Sequence, residues 1–250
     1  MSDSGLPSHI RPFEASARVY DVVYSHLDYQ VSALQVEELI RRRNPGASSL
    51  LDMSCGTGLH LSIWKDRFDH VEGADVDPAM LEVARERLGD DVPLHVADYV
   101  DFDLGRTFDA VTCMFSSIGY ARTPDRLDAA IGAMARHLEP GGVLVVEPWL
   151  QPDMVIPGHI GGTVSTGDGI VVLRSSRTEY DGDESGGETA LEFVYVVRTP
   201  EGSDTFTERH VMGVWPSSRY LEAMARAGLD AEFLDGLTEL GRGIAIGTAP

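Results

Sequence analysis

Between residues 46 and 149 the chain alternates short apolar runs with amphipathic ones. "SSLLDMS" (48–54), "HVEGADVD" (70–77), "PLHVADY" (93–99), "FDAVTCMF" (108–115) and "VLVVEPW" (143–149) read as strands. The segments between several of them carry helical spacing. "GLHLSIWKDRF" (58–68) opens a helix. Asp77 and Pro78 read as an N-cap and first helical residue for 78–89, where Leu81, Ala84 and Leu88 share a face and Gly89 stops the turn. Over 124–139, Leu127, Ile131, Met134 and Leu138 fall on one face, and "PGG" closes the segment. Strands apolar throughout, alternating with amphipathic helices, predict a doubly wound α/β core with a mainly parallel sheet.

The texture changes after Trp149. "GIVVLRSSRTEYDG", "TALEFVYVVRTP" and "TFTERHVMGVW" alternate apolar with polar residues and are separated by the acidic turns "DGDESGGE" and "EGSD". These predict antiparallel strands. A helix near 217–228 then leads to two final strands, "DAEFLDG" and "GRGIAIGTAP". The expected organisation is an N-terminal helical cap at 1–45 and an α/β core at 46–150 and 215–250. An antiparallel β insertion at 151–214 follows the fifth strand, as an acceptor lid or a dimer contact.

Composition narrows the function. A length of 250 residues suits one α/β domain with an insertion. The formal charge of −20 disfavours nucleic acid and anionic membrane as partners, while local arginines can still hold a small anion. No apolar run is long enough to span a bilayer, and the first residues lack the pattern of a secretory signal. Cys55 and Cys113 are the only cysteines and read as buried thiols. A cytoplasmic protein is expected. The histidines show no metal-ligand spacing, "DGDE" lacks a calcium-loop pattern, and no GxSxG elbow occurs, so no metal and no serine-hydrolase chemistry is expected.

The glycine turn in "LLDMSCGTGLHL" (50–61) separates the remaining ligands. A dinucleotide fingerprint needs a third glycine where this chain has Leu61, and a P-loop needs a Gly-Lys-Ser/Thr that is absent. Asp52 stands four residues before Gly56, with Gly58 beyond it. Asp75 ends the second strand, where a carboxylate accepts both ribose hydroxyls. Asp98 ends the third, where it accepts from an adenine amino group. Alone, each acid would be a helix cap or a solvated residue. In order at successive carboxyl ends of parallel strands, they line the crevice where such sheets bind ligands.

Asp52–Gly58, Asp75, Asp98 and "LEPGGVLVVEPW" together resemble the class I S-adenosylmethionine-dependent methyltransferases, over nearly the whole chain from "VYDVVY" (19–24) onward. The resemblance implies a seven-stranded sheet whose last strand is antiparallel, with the cofactor S-adenosyl-L-methionine over the first four strands. It implies cofactor contacts at Tyr20, Tyr29, Asp52, Cys55, Gly56, Gly58, Asp75, Val76, Asp98, Tyr99 and Met114.

Within the class, "SLLDMSCGTGLHL", "DFDLGRTFDAVTCMFSSIGY", "ARHLEPGGVLVVEPW" and "GRG" are similar to N,N-dimethyltransferases acting on nucleotide-linked amino sugars of macrolide-type antibiotics. The chain departs from many members at "EPWLQP" and "DGLTELGRGIA". On this resemblance Tyr120, Tyr24 and His26 are the candidate catalytic residues. Ser116, Ser117, Trp149 and Arg242 are the candidate contacts to a small-molecule acceptor, with Arg242 reaching a diphosphate. The sequence is compatible with a homodimer and does not fix the oligomeric state. Two alternatives remain open: O- or C-methylation of another small natural product, and a non-catalytic S-adenosylmethionine-binding protein.

Overall fold

A computed structural model describes residues 17, 19–167, 169–236 and 241–250. Much of the segment 1–45 expected as a cap, namely 1–16 and 18, therefore lies outside the described residues. The rest of that segment contributes two helices, α1 (Tyr20–Val23) and α2 (Tyr29–Arg43). Then come β1 (Ser49–Met53), α3 (Leu59–Trp64), β2 (His70–Asp75), α4 (Pro78–Leu88), β3 (Leu94–Val96) and β4 (Phe108–Cys113). A 3-10 turn at Ser117–Tyr120 precedes α5 (Pro124–Arg136) and β5 (Leu138–Val146). Four strands come next: β6 (Ile160–Gly167), β7 (Ile170–Asp183), β8 (Gly186–Thr199) and β9 (Gly202–Val214). The chain closes with α6 (Ser217–Arg226), β10 (Asp230–Leu234) and β11 (Ile244–Thr248).

The main sheet has seven strands in the order β10-β11-β5-β4-β1-β2-β3. β11 runs antiparallel to both its neighbours and the other pairings are parallel, so the doubly wound sheet expected from the sequence is the sheet that forms. Strand order reverses between β1 and β4. Their following loops diverge there and open a crevice at the carboxyl ends. Register aligns Asp52 with Gly73 on one side and Thr112 on the other. Apolar side chains cover both faces, with α5 and α6 on one and α2, α3 and α4 on the other. The Asp77–Pro78 start of α4 is as expected: the Asp77 carboxylate accepts from Ala79 N at 2.9 Å, and Gly89 ends the helix at φ 75°.

Two elements differ from the sequence reading. The helix expected through residue 139 ends at Arg136, and Leu138 starts β5 opposite Phe108. The His137 carbonyl accepts from Phe108 N at 2.8 Å, so the backbone joins the sheet although the apolar spacing would continue the helix. The insertion has four strands rather than three. β6 reads "IGGTVSTG", too rich in glycine and hydroxyl residues to signal a strand alone, and it forms by pairing along its own full length with residues 170–177 of β7.

The second sheet has the order β6-β7-β8-β9. Val19, Val22 and Val23 around α1 pack with Val172, Tyr195 and Val197 of this sheet, which joins it to the N-terminal helices. Both cysteines are buried free thiols. Among the described residues no helix is long and apolar enough to cross a membrane.

Candidate active site

A cavity of about 430 Å³ lies at the carboxyl ends of β1–β4, within the size range of small-molecule sites. Its floor comes from the loops after those strands, and Tyr20, Tyr29 and residues 207–211 of β9 also line it. Of the predicted residues, Tyr20, Tyr29, Asp52, Cys55, Gly56, Asp75, Val76, Asp98, Tyr99, Met114, Ser117 and Tyr120 border this space. Gly58, Tyr24, His26, Ser116, Trp149 and Arg242 do not.

The loop after β1 is anchored on the end of β2. Ser54 N and Cys55 N both donate to the Ala74 carbonyl, at 2.7 and 2.9 Å. Gly56 N donates to Asp75 Oδ2 at 2.8 Å, and Asp77 N donates to Oδ1 at 2.9 Å. Ser54 takes a left-handed conformation at φ 67°, a strained state for a non-glycine residue that this anchoring holds in place. Asp75 retains acceptor capacity beyond those two bonds, because a carboxylate offers about four lone-pair sites. Burial pushes its pKa up to about 6, against the lowering effect of the backbone N–H donors. Asp52 accepts from the Thr112 hydroxyl at 2.8 Å, and burial, with the nearby Asp75 charge, pushes it up to about 7.

Gly58, expected at the cofactor, does not border the cavity and has a packing role. It caps α3 at φ 77°, and a Cβ there would lie 2.9 Å from Leu88 Cδ1 and 3.3 Å from Ala84 Cβ. Its bare backbone lets α3 approach α4.

At the far end of the floor, Asp98 accepts from Val100 N at 3.1 Å and meets Arg126 at 3.4 Å. Opposite lies a group of aromatic rings centred on Phe115, a residue absent from the sequence prediction. Its ring centroid is 5.9 Å from Tyr29 in a stacked pair, and 5.0 and 6.4 Å from Tyr24 and Tyr20 edge-on. Phe115 and Ser116 are both left-handed, at φ 57° and 64°. Glu147 accepts from Phe115 N at 2.7 Å and the Pro148 carbonyl accepts from Ser116 Oγ at 2.7 Å, so the end of β5 fixes this strained turn. Aromatic faces attract a cation at close range, so the ring group suits a sulfonium. His60 also lines the cavity. Burial pulls its pKa down to about 4, so it is neutral, and its Nε2 lies 3.2 Å from Ser32 Oγ.

The other end of the cavity combines the core and the second sheet. The Tyr120 hydroxyl is 2.5 Å from His210 Nδ1, and His210 Nε2 is 3.4 Å from Glu208. At the rim Arg122 pairs bidentately with Glu188, at 2.9 and 3.0 Å. His210 and Glu208 escaped the sequence reading, although "ERH" puts both on one strand face by its period of two. Tyr24 accepts from Arg174 at 3.0 Å, and its ring lies tilted 4.6 Å from that of Tyr20. His26 is exposed, with its ring 6.5 Å from that of Tyr24. Arg242 lies with its guanidinium 4.1 Å from the Trp149 ring centre and donates to Ser116 Oγ, forming a bracket behind the Phe115 turn.

The family model described as a methyltransferase domain matches residues 50–142, the segment holding β1–β4 and α5. The chain is 41% identical to the dTDP-3-amino-3,4,6-trideoxy-alpha-D-glucopyranose N,N-dimethyltransferase of Streptomyces venezuelae, over 92% of this chain and 96% of that one. Among solved structures, Streptomyces venezuelae DesVI superposes with a TM-score of 0.87 at 40% identity, covering 94% of this chain and 98% of that chain. CalS10, a SAM-bound amino pentose methyltransferase from Micromonospora echinaspora involved in calicheamicin biosynthesis, gives a TM-score of 0.83 at 38% identity, covering 93% of this chain and 97% of that chain. The anchored glycine loop, the acids at successive strand ends and these similarities agree: the chain belongs to the class I S-adenosylmethionine-dependent methyltransferases, in the family that includes the dTDP-amino-sugar N,N-dimethyltransferases.

Proposed function

We propose that this enzyme N-methylates the amino group of a dTDP-linked deoxyamino sugar in natural-product biosynthesis. The observation that carries the reading is a single cavity running from Asp75 to Tyr120. A cofactor held at one end would meet an acceptor at the other. Bound there, S-adenosylmethionine supplies a methyl group on a positively charged sulfur, open to in-line attack. Asp75 accepts from the ribose hydroxyls and Asp98 from the adenine amino group. Val76, Tyr99 and Met114 border the adenosine, while Gly56 and Cys55 leave space along the methionine portion. Tyr20, Tyr29 and Phe115 would face the sulfonium. An in-line displacement of this kind requires no metal.

The chain's work is positioning and exclusion of water, which convert a bimolecular displacement into a near-unimolecular one. On the acceptor side we assign Ser117 and Tyr120 to the sugar. Arg242, which lies outside the cavity lining and is steadied by Ser116 and Trp149, is assigned to the diphosphate, the part of the acceptor that would extend beyond the cavity. The second sheet closes over the sugar as a lid. Its outward side carries Val164 paired with Leu173, at 68% and 42% exposure, a surface suited to a second copy of the chain. Sedimentation equilibrium tests this: a dimer is expected, and Val164→Glu with Leu173→Glu dissociates it.

The decisive experiment incubates the protein with S-adenosylmethionine and dTDP-3-amino and dTDP-4-amino sugars, their hydroxyl analogues and aromatic acceptors, with products read by mass. Successive gains of about 14 Da, one methylene each, on an amino sugar support the reading. Transfer only to a hydroxyl or aromatic acceptor sinks it in favour of O- or C-methylation, and cofactor binding without any transfer points to a non-catalytic role.

A further inference from the structure

Glu208 and His210 stand two residues apart on β9, so both point to the same side of the second sheet, and both are buried, at 7% and 4% exposure. Tyr120 reaches them from the turn after β4, ninety positions away in sequence. All three line the cavity. The His210 ring packs edge-on against Phe193 at 5.2 Å, and Leu191 is its cross-strand partner on β8. Hydrophobic contacts thus hold the imidazole in one orientation, with Nδ1 toward the tyrosine hydroxyl and Nε2 toward the carboxylate. This is the geometry of a base oriented by a third group.

Resting on the amine-methylating reading above, we propose that Tyr120, His210 and Glu208 form a proton relay that deprotonates the acceptor ammonium, with the second sheet supplying its proton-accepting half. A dTDP-linked amine arrives as R–NH3+, which has no lone pair to attack with. Tyr120 Oη accepts an ammonium proton while its own proton passes to His210 Nδ1. Glu208 stabilises the resulting imidazolium through Nε2–H. The amine lone pair then forms the C–N bond as the S–CH3 bond breaks and its electron pair passes to sulfur. The imidazolium then releases its proton to solvent as the site opens for cofactor exchange, and the methylated ammonium loses a further proton by the same route before a second transfer.

Burial pushes the Tyr120 hydroxyl well above its ordinary range, so it serves as a neutral conduit and not as a phenolate base. Facing Tyr120 are Tyr24 from the segment after α1, Tyr99 from the loop after β3, Tyr195 from β8, and Tyr20 from α1. Arg174 of β7 sits beside Tyr24 and Tyr195, and the Arg122–Glu188 pair lies at the rim. The paired charges of Arg122 and Glu188 offset one another. Among the groups lining the acceptor end, the His210–Glu208 pair is the proton acceptor aligned with the tyrosine. His210 and Glu208 are positioning residues that act through Tyr120, and Tyr120 is the residue that meets the amine.

The test measures kcat and kcat/KM from pH 6 to 10 with saturating S-adenosylmethionine and dTDP-3-amino-3,4,6-trideoxy-α-D-glucopyranose, for wild type, Tyr120→Phe, His210→Asn, Glu208→Gln and Glu208→Asp. Cofactor affinity and melting temperature are measured alongside. Loss of a positioned general base costs about 10²-fold or more in rate. Tyr120→Phe and His210→Asn are expected to lose about that factor in kcat near pH 7 and to recover most of it by pH 10, where bulk hydroxide deprotonates the ammonium. Glu208→Gln is expected to move the acid limb of the profile, and Glu208→Asp to restore it in part, with cofactor affinity unchanged throughout. A loss equal at every pH assigns the trio a purely structural role and overturns the relay, as does a wild-type profile in the variants. Tyr120→Phe removes one oxygen and preserves the fold if His210→Asn does not. Wild-type enzyme that methylates none of the amino sugars overturns the functional reading itself; wild-type activity with unshifted variants overturns the relay alone.

Discussion

Leu61 of α3 occupies the space that a side chain at Gly73 of β2 would need: a Cβ on Gly73 would fall 2.5 Å from Leu61 Cδ1 and 2.9 Å from Cys55 Sγ. A leucine at position 61 excluded the dinucleotide fingerprint, whose third glycine provides close helix-to-strand packing. Here the neighbouring strand provides the missing volume, so a bulky residue fits the helix and the loop still lies flat on β2. Gly73→Ala is therefore expected to destabilise the fold by about 1–3 kcal/mol, the usual cost of overpacking, and to weaken cofactor binding by displacing Cys55. Thermal denaturation and calorimetric titration with S-adenosylmethionine check both effects. Adding Leu61→Ala should recover part of the lost stability; strictly additive losses would remove the steric account.

Asp75 ties the loop after β1 to the proposed ribose site, since Gly56 N and Asp77 N already use two of its acceptor positions. Its pKa, raised to about 6 by burial, sets a pH window for binding. Ribose hydroxyls donate to the ionised carboxylate, so the complex favours that form. Cofactor affinity is expected to rise as pH increases toward about 6 and to level off above it. Asp75→Ala should cost about 1–3 kcal/mol in binding, from stranded hydrogen-bonding groups. Affinity unchanged in the variant, or falling with rising pH in the wild type, would take Asp75 out of the ribose site.

Asp52 has the opposite relation to stability. Burial is the main cause of its rise to about 7, the Asp75 charge adds to it, and the Thr112 hydroxyl works against it. An unfolded aspartate titrates near about 3.9. Between those values the folded chain holds a proton that the unfolded chain has released, so stability falls as pH rises from about 4 to about 7 and is flat beyond. Asp75 contributes in the same sense over the lower part of that window. Asp52→Asn keeps an acceptor for Thr112 and removes the buried charge. At pH 8 the variant should be more stable by roughly 2–4 kcal/mol, and the advantage should vanish near pH 4. Denaturant unfolding at both pH values checks this; an advantage independent of pH would show that packing rather than charge is responsible.

The floor of the site was legible because its parts are local. Each acid follows an apolar run directly, and a parallel sheet brings successive strand ends to one edge without help from distant contacts. The parts that were not legible depend on docking between segments far apart in the chain. Phe115 looks like one more apolar residue after a strand until α1 and α2 bring Tyr20, Tyr24 and Tyr29 around it. His210 meets Tyr120 only because the second sheet returns to the core. β6 has little strand propensity, and its pairing with β7 supplies what "IGGTVSTG" lacks. Leu138 shows the same principle in reverse, where sheet hydrogen bonding took a residue whose spacing matched a helix.

Arg242 offers a test of the acceptor assignment that leaves the cofactor end untouched. Gly241 and Gly243 flank it at φ 66° and 81°, and its guanidinium lies 4.1 Å from the centre of the Trp149 ring. Its bond to Ser116 Oγ continues from Ser116 to the Pro148 carbonyl, so one chain of contacts fixes arginine, strained turn and strand end together. Burial draws its pKa down while Glu147 supports the charge, and a guanidinium stays protonated under both influences. Lysine at this position keeps the charge but loses the planar stack and the forked donors that match a diphosphate. Arg242→Lys is expected to raise KM for a dTDP-amino sugar about tenfold, roughly the 1.4 kcal/mol of one good charge-assisted contact, while the dissociation constant for S-adenosylmethionine stays within about twofold. Steady-state kinetics on the nucleotide sugar and on the same sugar as its 1-phosphate separate the two halves of the claim. The variant should lose its deficit on the monophosphate, which lacks the second phosphate for the fork to grip; an equal deficit on both would place Arg242 in support of the Phe115 turn alone.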